Sequence, residues 1–565
     1  MKRVWKVLVL GGVLAACSPS DERPACGVNH ECPSGSSCNA QDVCAPSGDG
    51  GGGGDDGSVR GCNGPPAIDF DPVPSYPGSG LTPSVIVTNG NDDGADSLRA
   101  VIAAAPANAV VGFSQQLAGA TIKLTRRIEL TRSVTIDGGA APGLTIDADL
   151  KDNAFHFNGD AATKLAVFSL RITRGRTMGS GGAISVNGGA LELEIGGVTF
   201  VDNAAGEGGA IRAGYRSIKT FVHDSVFIRN DGSLTASGFS GGAISASGGE
   251  LHVVRCRFDA NVGSTSGAVY AIHANPVIEY SVLVGNRSSG TAGSGAFFAD
   301  GGGPGDYGNG ITTPGGITLR GLRVEDNRGA GDDGGAAELY AYPSDTVTVE
   351  NSTFRNNQSN PGRAGALFIH ADKVVDLRRV AFVGNTATRS GGAIWADGNA
   401  TYSIENALFS GNTSMNDLGG ALRMELAATG ALRIASTTIV DNAANGGNGA
   451  LWLPGIRDVS VRNTIVANNT GSAGAQQINF PVTDGGGNLE WPASGASTRT
   501  LAMARVVDPL LEPLTMNEGT WVRALVTGSP ALDTAVLPAP PLDQRGAHRD
   551  STPDIGAFEV GGTCD

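Results

Sequence analysis

Four cysteines recur every six residues, Cys26, Cys32, Cys38 and Cys44, within CGVNHECPSGSSCNAQDVC. Even-numbered, regularly spaced thiols in a short stretch containing Gly, Ser and Pro imply two disulfides made in an oxidising compartment. Zinc is the competing use of such thiols, but these spacings fit zinc knuckles badly, and the three possible disulfide connectivities stay open. Farther along, Arg255, Arg257, Tyr280 and Arg323 are the best candidates for ligand recognition. Guanidinium groups beside an aromatic ring suit an acidic glycan, and the competing reading is scattered arginines on a solvent face. Other chemistries have less to work with. The seven His stand singly, away from metal-ligand spacing, and Asp332-Asp333 lies alone in a Gly-rich loop. NGNDDGAD, Asn89 to Asp96, is acidic enough for calcium but sits where a helix begins, so capping is the preferred role. No Gly-rich phosphate loop leads from a strand into a helix. Catalytic residues, bound metal and cofactors are therefore not expected.

The first residues read as a targeting segment. Lys2, Arg3 and Lys6 precede the short apolar run Val7 to Leu14, which closes on Leu14-Ala15-Ala16-Cys17. The run is too short to span a bilayer. The close resembles the lipobox of bacterial lipoproteins, which implies cleavage after residue 16, lipid on Cys17 and, with Ser18 next, sorting to the outer membrane. An ordinary cleaved signal is the alternative. The four-cysteine stretch is similar to small Cys-rich modules, Dickkopf-type N-terminal regions among them, in its C-P-x-G-x-x-C core. Gly/Asp-rich residues 46–60 follow as a flexible linker, so 17–60 reads as a lipidated tether. Residues 1–16 carry three positive charges and no negative ones, so their removal takes the formal charge from −15 to −18. Such acidity argues against nucleic acid as a partner.

Composition and repetition define the body. Gly supplies 86 of 565 residues and aromatics only 5%, a balance suited to many short strands. Gly-Gly-Ala-Ile or a close variant begins at Gly181, Gly208, Gly241 and Gly391, with looser copies at Gly334, Gly419 and Gly449. Phe-x-x-Asn ends at Asn203, Asn230, Asn261, Asn357, Asn385 and Asn412, and Leu, Val or Ile replaces Phe before Asn286, Asn327, Asn442 and Asn468. Successive Asn lie 25 to 41 residues apart, a period that signals a solenoid. Leu191-Glu192-Leu193-Glu194-Ile195 alternates apolar and polar, so the solenoid is built of strands.

Phe200, Phe227, Phe258, Leu283, Val324, Phe354, Phe382, Phe409, Ile439 and Ile465 are expected to stack inward. Two residues earlier, Val198, Ser225, Cys256, Ser281, Leu322, Ser352, Val380, Ala407, Thr437 and Asn463 form a smaller inward column. Each terminal Asn is expected to take left-handed backbone at a turn and to join an amide ladder. Cys256 is expected to be a buried, unpaired thiol, with the fate of Cys62 and Cys564 open.

Asp96-Ser97-Leu98-Arg99-Ala100-Val101-Ile102 opens with a capping residue and places Leu98, Val101, Ile102 and Ala105 on one helical face, which would seal the first coil. The expected fold is all-β, a right-handed parallel β-helix with a short N-terminal capping helix, preceded by a disulfide-rich tether. Its parts are an N-terminal cap at 61–120, repeats at 121–480 and a C-terminal cap at 481–565. The paired GGA and FxxN motifs resemble the repeats of chlamydial polymorphic outer-membrane proteins, which implies adhesion, although the membrane barrel of those proteins has no counterpart here. Gly528-Ser529-Pro530-Ala531-Leu532-Asp533, Asp543-Gln544-Arg545-Gly546 and Asp554-Ile555-Gly556-Ala557-Phe558-Glu559 are similar to the C-terminus of choice-of-anchor Q β-helix proteins. Arg545 is expected to pair with Asp554 or Glu559.

These readings lead to a monomeric, surface-exposed outer-membrane lipoprotein. It would be held to the membrane by lipid and serve adhesion, glycan binding or structural display, with a polysaccharide or another surface protein as partner. The alternative is a polysaccharide lyase or glycoside hydrolase acting on an acidic polysaccharide. Against it, the ordered polygalacturonase motifs are absent, and the outward column from Thr199 through Arg257 and Arg323 to Thr464 holds no carboxylate. The one long insertion, Ala299 to Gly316 with Tyr307, would stand above the Arg/Tyr patch.

Overall fold

The computed structural model describes residues 76–564 apart from 160–162, 189–191, 215–218, 236–238, 291–292, 304–313, 332, 455–457, 473–476, 481 and 493–500, together with strands Ser36–Cys38 and Cys44–Pro46. The chain divides into two units, 1–57 and 58–565. In the first, the two short strands pair antiparallel and set Cys38 opposite Cys44 in backbone register. Cys17, Cys26 and Cys32 lie outside the described residues. No described helix is long and apolar enough to cross a membrane.

The second unit is a right-handed parallel β-helix. One coil shows how the repeat is spent. Ile244–Ser247 lies in the second sheet; Glu250–Val254 and Arg257–Asp259 follow in the first; Val262–Gly263 forms the third. The second sheet stacks twelve strands, from Ile128–Leu130 to Leu451–Trp452. At the ~4.8 Å spacing of paired strands this makes a rod roughly 50 Å long. Parallel pairing begins where Val85–Val87 meets Ala109–Phe113 and runs on to Arg505–Val506.

The core is narrow and stacked. Phe200, Phe227 and Phe258 are fully buried, with centroids 4.8 and 4.7 Å apart, and Phe354, Phe382 and Phe409 repeat this at 5.2 and 4.9 Å. Beside them the buried Asn ladder runs from Asn203 to Asn469. From Asn230 on, each amide oxygen accepts from the backbone N–H and the side-chain amide of the Asn one coil earlier, as Asn357 does from Asn327 at 3.1 and 2.9 Å.

Two details differ from expectation. Positive φ belongs to the residue before each ladder Asn, such as Asp202, Arg229 and Asp326, because the Asn itself must turn inward to reach its partners. In the last coils the ladder uses Asn469, while Asn468 takes the positive-φ turn. Val466 therefore continues the Phe column below Ile439, Thr464 replaces Asn463 in the small column, and Ile465 faces outward.

Ile465 tolerates that position because the outer face there is covered. The segment after residue 505 runs back along the first sheet, packing Leu525, Ala531 and Ile555 with Ala381, Leu408, Val440 and Ile465. Arg549 donates to Asn406 at 3.0 Å, the Ala557 N–H to the Thr438 hydroxyl at 3.1 Å, and the Gly556 N–H to the Asn463 carbonyl at 2.9 Å. Within it Arg549 pairs with Glu559 at 2.8 Å, both almost fully buried. Arg545 pairs instead with Asp543 at 2.8 Å, its hydrogen bond to Glu559 going to the backbone carbonyl, and Asp554 accepts backbone N–H groups from Asp533 and Val560. The arginine nearest Glu559 in the sequence is not the one whose side chain reaches its carboxylate.

At the other end, helix Leu98–Ala104 buries Leu98 and Ile102 under an N-cap supplied by Ser97. Asp92, in the acidic stretch before it, is taken up by Arg99 and the Thr125 N–H. The Gly-Gly corners follow from close stacking. Gly391 has φ +70°, and a Cβ on Gly392 would lie 2.0 Å from the carbonyl oxygen of Gly420 in the next coil.

Cys256 stands in the small inward column, fully buried and unpaired. Burial pushes its thiol up to about 12. Native protein is accordingly expected to resist thiol reagents at this site, and Cys256→Ser to cost about 1–2 kcal/mol in a denaturant titration. Rapid native-state labelling of Cys256 would contradict the packing. Cys564 is disulfide-bonded.

Candidate functional site

The Arg/Tyr patch is assembled on the outer side of the first sheet, and its charge is already spent. Arg257 and Arg323 stand in one outward column with Val282 between them. Arg257 pairs with Asp259 at 2.9 Å and Arg323 with Glu325 at 3.0 Å. Arg255 sits on the bend between the two first-sheet strands and grips Asp224 at 2.6 and 2.8 Å. Tyr280, on the same bend one coil later, lies over Gly321, where a Cβ would come 2.6 Å from the ring. The carboxylates answering these arginines stand two residues along the strand or one coil back, outside the column read from sequence. Tyr307 lies outside the described residues.

A second set of side chains gathers on the outer face of the second sheet. Its first outward column is the second residue after each Gly-Gly-Ala, and from the fourth repeat it reads Tyr270, Phe298, Glu338, Phe368, Trp395. The next outward column, two residues on, reads Asp300, Tyr340, His370, Asp397, Glu425. Alternation along each strand brings both columns to one face, and the coil repeat sets neighbours ~4.8 Å apart.

The aromatic column is mostly closed over. Phe368 and Trp395 stack at 5.0 Å, and Arg363 lies 4.0 Å above the Trp395 ring while pairing with Asp333 at 2.8 Å. Glu338 interrupts the stack and is only 5% exposed; its Oε2 has no hydrogen-bond partner among the described residues. Burial first, and then the charge of Asp333, push its carboxyl up to about 8, so it holds its proton at neutral pH.

The second column is open to solvent. His370 Nδ1 lies 2.5 Å from Asp397 Oδ1, with the imidazole 41% exposed. Burial raises the Asp397 carboxyl, against the hydrogen bond from His370. The Tyr340 ring is 5.8 Å from that of His370, and burial raises its phenol, which hydrogen-bonds Glu338. Asp300 accepts from the Tyr342 hydroxyl at 2.9 Å. Arg423 is held by Asp417 at 2.8 Å and by Glu425.

Sequence reasoning missed this face because it followed only the column beside the Phe stack. The signal was present in the Gly-Gly-Ala motif. Aligned on it, the fifth residue reads Ser, Arg, Ser, Tyr, Phe, Glu, Phe, Trp, Arg and Trp from Ser185 to Trp452, and two residues on lie Asp300, Tyr340, His370 and Asp397. Among the described residues, no group of three or more His, Cys, Asp or Glu is arranged to hold a metal ion.

No known protein-family profile matches the chain, and no curated protein matches it. Among solved structures, pectate lyase Pel9A matches over 85% of this chain and 98% of its own, at 15% identity and a TM-score of 0.28. At that TM-score the likeness carries no argument about this chain.

Proposed function

We propose that this protein is an exported, lipid-anchored β-helix that binds polysaccharide along the outer face of its second sheet. The observation that carries the reading is the half-exposed row Asp300, Tyr340, His370, Asp397 and Glu425, one residue per coil across five successive coils. A line of donors and acceptors repeating every ~4.8 Å matches an extended, hydroxyl-rich polymer better than it matches a compact ligand. Lipid on Cys17 would hold the body at the outer membrane, where the role would be adhesion or display, with polysaccharide or another surface protein as partner. The lipobox-like Leu14-Ala15-Ala16-Cys17 and the evenly spaced cysteines of the tether support export.

The test is a glycan array with the mature protein. Retained glycans are expected to be lost, by tenfold or more in affinity, in the double variant Asp300→Ala, Tyr340→Ala. Arg257→Ala should bind within about twofold of wild type, its guanidinium being neutralised already. The reverse pattern would move the site to the first sheet, and retention of no glycan would end the reading. A second reading, polysaccharide cleavage, is favoured by one pairing on the same face, His370 with Asp397.

A further inference from the structure

The outer face of the second sheet contains an oriented base. Asp397 is one coil beyond His370 in the same column, and its carboxylate, which can only accept, takes the Nδ1–H of the imidazole. That fixes the tautomer and leaves the Nε2 lone pair on an exposed side chain with no partner among the described residues. Tyr340 stands one coil before His370 in that column, so a phenol and an imidazole face the same side of anything laid along the row.

The cations on this face are committed. Arg363 is bound by Asp333 and stacked on Trp395, and Arg423 is bound by Asp417 and Glu425. With Asp300, Asp397 and Glu425 in the row itself, the described residues of this face leave no cation spare to neutralise a free uronate, which the row would repel. A uronic acid carried as its ester is uncharged, and its C5–H, adjacent to the ester carbonyl, is still acidic.

We propose that His370, positioned by Asp397, and Tyr340 form a catalytic centre for β-elimination in an esterified polyuronate, an activity that rests on the glycan-binding reading above. His370 Nε2 takes the C5 proton, and the C5–H electron pair becomes the C4=C5 double bond. The C4–O4 bond breaks, and the Tyr340 hydroxyl proton goes to the leaving O4. The imidazolium then returns its proton to the phenolate through water, and the site is restored with no co-reactant. Base and acid lie on one side of the polymer, so proton and leaving group depart from the same face. The buried Glu338 carboxyl behind Tyr340 fixes the phenol by hydrogen bonding and does not touch the substrate. His370 and Tyr340 are the catalytic residues, and Asp397 is a positioning residue.

The experiment uses the purified mature protein with propylene-glycol-esterified, mannuronate-rich alginate, in which H5 and O4 share a face, and with highly methyl-esterified pectin, in which they do not, each beside its de-esterified polymer. Ultraviolet absorbance of the new double bond reports cleavage, and affinity electrophoresis in gels containing each polymer reports binding. Absorbance is expected to rise with the alginate ester and at least tenfold more slowly with its free acid and with either form of pectin. His370→Ala should lose a hundredfold or more in rate, within the usual range for general-base catalysis, and far less, a few-fold at most, in gel retention. Asp397→Asn should lower kcat at constant KM, since the amide can present its NH2 to Nδ1 and reverse the tautomer.

Retention without new absorbance would overturn the catalytic proposal and leave the binding reading standing. Absence of retention on the array and in every gel would remove both. Faster cleavage of the free acids would overturn the assignment of an ester, and full activity in His370→Ala would overturn the base.

Discussion

Asn357→Ala is expected to destabilise the β-helix by about 3–9 kcal/mol, a larger loss than at any exposed position of the same turn. The estimate follows from what the amide leaves behind. Its oxygen accepts from both the backbone N–H and the side-chain amide of Asn327, and its own amide donates to the Val324 carbonyl at 2.8 Å. Truncation strands these three groups in a fully buried position, at about 1–3 kcal/mol for each unsatisfied group. Water cannot readily replace the amide, because the coils above and below are stacked directly on it. Urea unfolding monitored by circular dichroism measures the loss. Asn356→Ala, one residue away on an exposed turn, provides the comparison and should cost far less. Equal losses at the two positions would show that the ladder contributes no more than an ordinary polar residue.

The second large effect is a dependence on pH. Glu338 titrates at about 8 in the folded chain and near 4.5 when unfolded, so between those values the native state holds a proton that the unfolded state has released. Stability from this group is complete below about pH 4.5 and is lost as pH rises through 8. The loss is on the order of 3–5 kcal/mol when both values are passed, at ~1.36 kcal/mol per pKa unit. Glu338→Gln keeps the shape and removes the titration. The variant should match wild type near pH 5 and melt at a higher temperature than wild type at pH 9. Melting curves of the two proteins that remain parallel from pH 5 to 9 would mean that Glu338 is already ionised in the fold.

Much of the solenoid was legible because its requirements repeat. A Phe at one place in a coil is weak information; a Phe, Leu or Val at that place in coil after coil can only be a column, and burial of Phe200 through Phe409 follows that reading. Cys256 was legible for the same reason, since alternation fixed its direction relative to Phe258.

The reading slipped at Val-Arg-Asn-Thr-Ile-Val-Ala-Asn-Asn, where alternation lost its meaning. Ile465 is apolar because the C-terminal segment covers it, so inward and outward positions look alike, and only the hydrogen bond from Asn442 to Asn469 fixes the register. Arg545 and Arg549 show a related limit: loops without a period gave no means of choosing which arginine meets Glu559. The candidate site was hidden in another way. Asp300, Tyr340, His370 and Asp397 are spaced by unequal coil lengths, and nothing in one dimension places them in a line until the second sheet is aligned on its Gly-Gly-Ala corners.

The segment that returns along the first sheet alters how the whole stack can fail. In a simple solenoid each coil senses only its neighbours, so a breach at one point can zip open in either direction. Here Asn406, Thr438 and Asn463, on three successive coils, are gripped from outside by residues more than seventy positions later in the chain. None of those coils can part without first shedding the clasp, so they should open together rather than one at a time. The clasp also leaves the ribosome after the coils it grips, which makes it a lock that closes only on a finished stack.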